Sequence, residues 1–420
     1  MTNKDNLGQP SPVIRDHFQD SPLERWADLG GAWQVDDGLV DIYDTEVRDI
    51  YFSPEEPGWV EWAGLWREKD GTIKTCFAQL SGNAGLDPSY RPWYGRREYL
   101  DTYEYNWEQF VRERDMVLGP EEALSSTKLD YVTLSSSDLG ETWENLGPDV
   151  ALKSTISVRT HDGGKTWESK ISDELPSGGN LNLTRTNDGR LVTAGNEILR
   201  CRDGRLVGIV PAHLHKEGSL LGVMESLDNG KTWSAAQHIL PEDSDPAIIS
   251  GAGDEKDLVE LDNGRILVVI RTDTDIKALG LPSEGIYGPY QTYLTRVGPG
   301  KYEATAPTWT PMPHGGHPAL VRGTDGVIWY WCTDGHWYSV DDGQSWRATP
   351  ARLISYYGKM LITGPNEVLC VTQYLIHDSP YPYSLDSCIR QYRFSYRRSG
   401  TLQQTDSSAP WPWHHEATVS

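Results

Sequence analysis

One eight-residue unit recurs four times and constrains the fold more than anything else in the chain. It reads Ser136-Ser-Asp138-Leu-Gly140-Glu-Thr142-Trp143, Thr160-His-Asp162-Gly-Gly164-Lys-Thr166-Trp167, Ser226-Leu-Asp228-Asn-Gly230-Lys-Thr232-Trp233 and Ser339-Val-Asp341-Asp-Gly343-Gln-Ser345-Trp346. An Asp side chain accepts hydrogen bonds from the amides of a tight turn, and a Gly supplies the positive φ such a turn needs. The Ser and Thr hydroxyls add local bonds, and the Trp plugs the turn back onto the next strand. A strand-like run such as Leu129-Asp-Tyr-Val-Thr-Leu134 precedes the unit. The unit is a lock on a β-hairpin and carries no chemistry itself.

A second set of turn signals runs between these locks. Asp70-Gly71, Asp188-Gly189, Asp203-Gly204, Asn263-Gly264 and Asp325-Gly326 are each followed by an apolar strand, and Asn366-Glu367 is a degenerate copy. The pairs at 188 and 203 are close enough to be assigned to one blade. The first two locks start 24 residues apart, too few for a four-stranded blade, so one of them is expected to decorate a blade.

The four locks resemble the Asp-box of the sialidase superfamily, and the resemblance extends from about Arg48 to about Arg397. It implies an all-β chain folded as a β-propeller. The expected form has six four-stranded antiparallel blades, with seven as the alternative. Residues 1–45, which read as a hairpin around Asp37-Gly38, are expected to close the ring. Residues 46–397 form the propeller and 398–420 a tail. The 81–128 segment interrupts the pattern as an inserted loop rich in Arg and aromatic residues, with a possible short helix over 106–117.

Composition excludes several classes. A net charge of −23 argues against nucleic acid and anionic membranes as partners. No apolar stretch is long enough to span a membrane. The start of the chain shows no secretory signal, which leaves a cytoplasmic protein or a secreted one whose signal is not in this sequence. The five cysteines are widely spaced and form no C-x-x-C pair, which favours buried free thiols. No metal site or cofactor is expected.

The same resemblance implies a site. In Asp254-Glu255-Lys-Asp257 through Val269-Ile270-Arg271, a Glu opens one strand and an Arg ends the next across the Asn-Gly turn. The family uses that Glu as base to a Tyr nucleophile and the Arg to bind the substrate carboxylate. Tyr356-Tyr357-Gly-Lys-Met-Leu-Ile-Thr is similar to the late strand that begins with the nucleophile, which falls on Tyr357. The alternatives are solvated charges at the ends of a hairpin and an aromatic wedge between blades. Two positions depart from the pattern: the first family Arg falls at Glu61, and the third, near Trp331, has no Arg. Arg91, Arg96, Arg97 and Arg322 are candidate replacements. Asp87 is taken as the acid, with Asp101 also possible. His213, His215, His314 and His317 lack zinc-ligand spacing, but His317 is a candidate substrate contact.

These features imply a carbohydrate substrate and an exo-acting glycoside hydrolase on an acidic or unusual sugar, other than an ordinary sialidase. A polysaccharide lyase that β-eliminates uronates, with Arg neutralising the acid and His or Tyr taking the proton, is the second reading. A non-catalytic propeller that binds glycans or proteins is the third.

Overall fold

The computed structural model describes residues 39–54, 59–81, 128–148, 150, 155–171, 182–194, 197–215, 218–240, 255–271, 289–310, 312, 317–332, 335–349, 356–375 and 387–399. The expected insertion at 81–128, its helix at 106–117 and the 398–420 tail lie almost wholly outside these residues. So does the hairpin before Leu39.

The described residues form six β-sheets and no helix, arranged as the six blades of a propeller. From the axis outward, blade 1 consists of Trp59–Arg67, Ile73–Ser81, Lys128–Ser136 and Glu144–Pro148. Blade 3 is Ile198–Arg200, Leu206–His215, Gly218–Ser226 and Gln237–His238. Blade 4 runs from Lys256–Glu260 through Ile266–Ile270 and Tyr290–Gly298 to Lys301–Ala304, and Thr308–Trp309 also pairs with its third strand. Blade 5 is Ala319–Arg322, Ile328–Cys332, Gly335–Ser339 and Arg347–Ala348. Blade 6 takes three strands from the end of the chain, Tyr356–Gly364, Glu367–Leu375 and Ser387–Arg398. Its outermost strand is Val40–Phe52, paired antiparallel from Val40 opposite Arg398 to Phe52 opposite Cys388. The ring is therefore held shut by a sheet that joins both ends of the propeller.

Blade 2 is built in a different chain order. Thr155–Arg159 and Glu168–Ile171 come first and form its outer half; Thr184–Arg185 and Leu191–Thr193 follow and form its inner half. Thr155–Arg159 pairs in parallel with Leu191–Thr193, the one parallel pair among the described strands. This order corrects two expectations. All four Ser/Thr-x-Asp units occupy one place, the turn between the third and fourth strands of blades 1, 2, 3 and 5. The first two are close in sequence because the chain passes directly from the outside of blade 1 to the outside of blade 2. The Asp188 and Asp203 turns, likewise, belong to different blades and join the two inner strands of blades 2 and 3.

Inside each lock the bonding repeats. Asp228 Oδ1 accepts from the Thr232 amide at 2.9 Å and Oδ2 from the Thr232 hydroxyl at 2.7 Å, while the Gly230 amide donates to Ser226 Oγ at 2.9 Å. The same three bonds occur around Asp138, Asp162 and Asp341. Bonds from Thr142 and Thr166 hold Asp138 and Asp162 down to about 2. The tryptophans do more than seal their own hairpins. Trp143 Nε1 donates to Gln391 of blade 6 at 2.7 Å, and Trp346 Nε1 to Gln291 of blade 4 at 2.9 Å. Two locks thus stitch neighbouring blades together.

Strand side chains alternate between faces, so every blade buries one set of apolar residues against each neighbour. Six apolar clusters result, one per blade interface. The cluster between blades 5 and 6 holds Trp329, Trp331, Phe394 and Tyr396. That between blades 1 and 2 is the smallest, with Trp66, Cys76, Leu183 and Leu191. Cys76, Cys201, Cys370 and Cys388 are buried free thiols. A buried carboxylate adds a polar brace: Glu225 on blade 3 accepts from Arg296 at 2.6 and 2.9 Å, the Gly300 amide at 3.0 Å and Tyr302 at 2.6 Å, all on blade 4. Burial pushes Glu225 up, but these donors outweigh it and bring the carboxyl to about 2. No helix among the described residues is long and apolar enough to cross a membrane.

Candidate functional site

The innermost strands of the six blades run side by side around the axis and enclose a cavity of about 300 Å³. Each leads into its blade's first turn, where one residue has positive φ: Gly71, Gly189, Gly204, Gly264, Gly326 or Asn366. That residue provides a common register. Seven positions before it stand Gly64, Asn182, Glu197, Asp257, Ala319 and Lys359, a ring of equivalent places near the strand starts. Charged side chains occupy three of them.

At this end of the axis a network crosses four blades. Lys359 donates to Glu197, and His317 Nε2 lies 3.2 Å from the same Oε1. His317 Nδ1 is 2.7 Å from the Pro318 carbonyl oxygen. A carbonyl only accepts, so Nδ1 is the donor in that bond, which fixes the ring with Nε2 toward the carboxylate. Asp257 accepts from the Leu258 amide through one oxygen and from the Leu320 amide through the other, each at 2.7 Å, and so braces blade 4 against blade 5.

Burial and charge set the ionisation of this network. Burial alone would raise Glu197, yet Lys359 and the bond from His317 outweigh it and hold the carboxyl below its usual range. Burial favours the neutral Lys359 amine, but Glu197, Asp257 and Glu255 hold it above the ordinary ammonium value. Asp257 is pushed up to about 6, mainly by burial, with Lys359 opposing and Glu197 adding.

Beside this network lie the three residues expected to act together. Glu255 and Arg271 face each other across the base of one hairpin, where the Arg271 amide donates to the Glu255 carbonyl at 2.8 Å. The Arg271 side chain is 2% exposed. Its Nη1 donates to the Glu255 carboxylate and lies 3.5 Å from the Tyr357 hydroxyl. Tyr357 reaches this place through a β-bulge between Tyr356 and Lys359 that leaves it at φ 52°. Blade 1 has a matching bulge between Glu61 and Gly64, with Trp62 at φ 55°. A bulky side chain at positive φ costs roughly 1–3 kcal/mol and persists only where its surroundings demand it. The two strained aromatics meet edge to face, 6.5 Å between centroids, and the His317 ring is 5.9 Å from that of Tyr357.

The structure thus brings Glu255, Arg271, Tyr357 and His317 to one end of the axis. It does not bring Arg322 there. Arg322 ends its strand at the opposite end and forks onto Asp262 at 2.8 and 2.6 Å. Asp87, Asp101, Arg91, Arg96, Arg97 and His314 lie outside the described residues. His213 and His215 fall in the second strand of blade 3, and their side chains are likewise outside the description. Glu197, Asp257, Lys359 and Trp62 are additions that sequence reasoning missed. The seven-residue offset from each inner turn was the signal that marked three of them.

No family model and no curated protein sequence matches this chain. Solved structures do resemble it. An α-L-arabinofuranosidase of Fusarium graminearum, solved with arabinobiose, is 12% identical, with 84% of this chain and 97% of that one covered and a TM-score of 0.49. An α-L-arabinanase of Penicillium chrysogenum, also with arabinobiose, is 10% identical over 83% and 98% of the two chains, with a TM-score of 0.48. A microbial sialidase is 14% identical over 80% of this chain and 52% of its own, with a TM-score of 0.35. The likeness is one of fold.

Proposed function

We propose that this protein is a carbohydrate-active enzyme, a glycoside hydrolase that attacks the end of a glycan through Tyr357. The observation that carries the reading is the contact of Arg271 with both Glu255 and the Tyr357 hydroxyl. A free phenol has a pKa near ~10 and is a weak nucleophile at neutral pH. A guanidinium against its oxygen favours the phenolate, and Glu255 within the same cluster is the base that takes the proton. The phenolate oxygen then bonds to the anomeric carbon as the leaving oxygen departs with a proton; water later cleaves the aryl glycoside. The leaving-group proton is assigned to Asp87. Asp257 is less suited, because both its oxygens already hold backbone amides.

The sugar follows from the charges. Arg271 and Lys359 each already face a carboxylate. The family's other two Arg positions fall at Glu61 and near Trp331. An ordinary α-sialoside therefore lacks its usual partners among the described residues, which supports an unusual sugar. Arg91, Arg96 and Arg97 are the assigned contacts for any acidic group it carries. The lyase reading draws support from His317, whose ring lies 5.9 Å from that of Tyr357, itself in contact with Arg271. One experiment separates the readings: incubation with a panel of glycans. Release of a reducing sugar without near-ultraviolet absorbance supports the hydrolase, an absorbing unsaturated product supports the lyase, and inertness toward the whole panel supports a binding protein.

A further inference from the structure

The far end of the axial cavity carries a second set of charges that the proposed reaction does not use. Four positions before each inner turn's positive-φ residue stand Arg67, Arg185, Arg200, Glu260, Arg322 and Ile362. These are equivalent places at the ends of the six inner strands. Glu260 and Arg322 have their charges paired outward, Glu260 by Arg202 at 3.2 Å and Arg322 by a two-pronged contact with Asp262, although Arg322 Nε is itself buried without a partner among the described residues. Ile362 is uncharged, and the remaining three, Arg67, Arg185 and Arg200, belong to adjacent blades 1, 2 and 3 and all line the cavity. The arc they make stands on the same short strands as the Glu197 network; Glu197 and Arg200 are three residues, about 10 Å, apart.

The positive charge of this arc is poorly met. Arg185 pairs with Glu68 and donates to the Gly189 carbonyl. Glu68, however, is shared with Lys74 at 3.3 Å and with Trp66 Nε1 at 3.1 Å. Among the described residues Arg67 has only the Thr363 carbonyl, at 2.9 Å from Nη2. Arg67 Nε and Arg185 Nε are both buried with no hydrogen-bond partner among the described residues. Arg200 makes no hydrogen bond or ion pair among them. Lys69 adds a further cation beside Arg185 at Gly189. Burial, followed by repulsion from Arg200, pulls Arg185 below the usual guanidinium value. In a chain of net charge −23, such a surplus of guanidinium around one shared carboxylate needs a ligand to account for it.

We propose that this end of the channel is an anion site that takes a small tetrahedral oxoanion, bound by Arg67, Arg185 and Arg200. Guanidinium forks match oxoanion geometry and supply several parallel donors. The buried, unpartnered Nε groups of Arg67 and Arg185 become useful donors once an acceptor is present. The site is separate from the Tyr357 end, and its occupancy does not depend on what reaction occurs there.

Inorganic phosphate and sulfate are the probes, titrated into the full-length protein while thermal unfolding and calorimetric heat are followed. Sodium chloride at equal ionic strength is the reference. A saturable rise in Tm beyond that reference is expected, together with a 1:1 binding heat. Arg200→Gln, at an exposed position, should fold as wild type does and weaken binding by about tenfold or more, the usual loss for a charged hydrogen bond. Arg67→Gln should do the same, and Arg397→Gln, on an outer strand, should bind as wild type does. The proposal is overturned if neither anion gives a saturable shift beyond chloride. It is equally overturned if Arg200→Gln binds as tightly as wild type, because the anion then sits elsewhere.

Discussion

Replacing His336 by phenylalanine should abolish a loss of stability that the wild-type protein suffers in mild acid. His336 is sandwiched between Trp329 and Trp331, at centroid distances of 4.9 and 4.7 Å and interplanar angles of 27°, with Phe394 across its edge at 5.0 Å. Neither ring nitrogen has a hydrogen-bond partner among the described residues. Burial alone pulls the imidazole from the ordinary 6.5 down to about 3. The unfolded chain therefore takes up a proton between pH 6.5 and 3 that the folded chain refuses. Stability falls as pH drops through that window, by about 1.4 kcal/mol per unit. At pH 7 the effect is negligible, and at pH 5 it reaches roughly 2 kcal/mol. Phenylalanine keeps the aromatic stack and discards two unsatisfied nitrogens, so the variant should equal or exceed wild type even at pH 7. Urea unfolding of both proteins at pH 7 and pH 5 gives four free energies and one double difference. A double difference below about 0.5 kcal/mol would refute the reasoning, since it would mean that His336 charges freely in the folded protein.

Four further outcomes are expected. Tyr357→Phe should remove turnover of any substrate the glycan panel reveals without lowering Tm, because the ring contacts with Trp62 and His317 remain; full activity in that variant would end the nucleophile assignment. Asp228→Ala should cost about 1–3 kcal/mol by leaving the Thr232 amide unpaired, with activity per folded molecule unchanged. Glu225→Gln should cost about 3–5 kcal/mol in chemical denaturation, because Arg296 and Arg205 lose their buried counter-charge. An aryl α-sialoside should be hydrolysed poorly, and efficient release of sialic acid from it would show that the substrate's carboxylate finds other cations.

Much of the ring was legible because every blade announces itself at its inner turn and four of the six do so again at an outer one. The six inner turns all carry an Asp or Asn signal, and four outer turns carry a lock. Blade 2 misled because sequence spacing reports chain order, and there chain order departs from spatial order. The 24-residue gap between Asp138 and Asp162 is short only for a chain that must cross a whole blade. At the candidate site, Glu255, Arg271 and Tyr357 could be assembled on paper because strand starts and strand ends alternate between the two mouths. The same logic misplaced Arg322, which ends an innermost strand and so faces away. Glu197 and Lys359 were invisible as a pair, since 162 residues separate them and each alone reads as a solvated charge. Only the circular register places them side by side.

The seam in blade 6 has a consequence for biosynthesis. Val40–Phe52 leaves the ribosome before every other described strand, and its partner Ser387–Arg398 leaves after all of them. Roughly 340 residues of synthesis separate them, about 17–70 s at ordinary elongation rates. During that interval the early strand has no sheet to join, while Trp59–Arg67 has no blade 6 to cover the face that later packs on Leu369, Val371 and Ile389. The nascent chain must carry an open edge and an uncovered apolar face through most of its own translation. Chaperone capture and premature pairing between neighbouring nascent chains should therefore concentrate on residues 40–80, and any truncation before Ser387 should leave a ring that cannot shut.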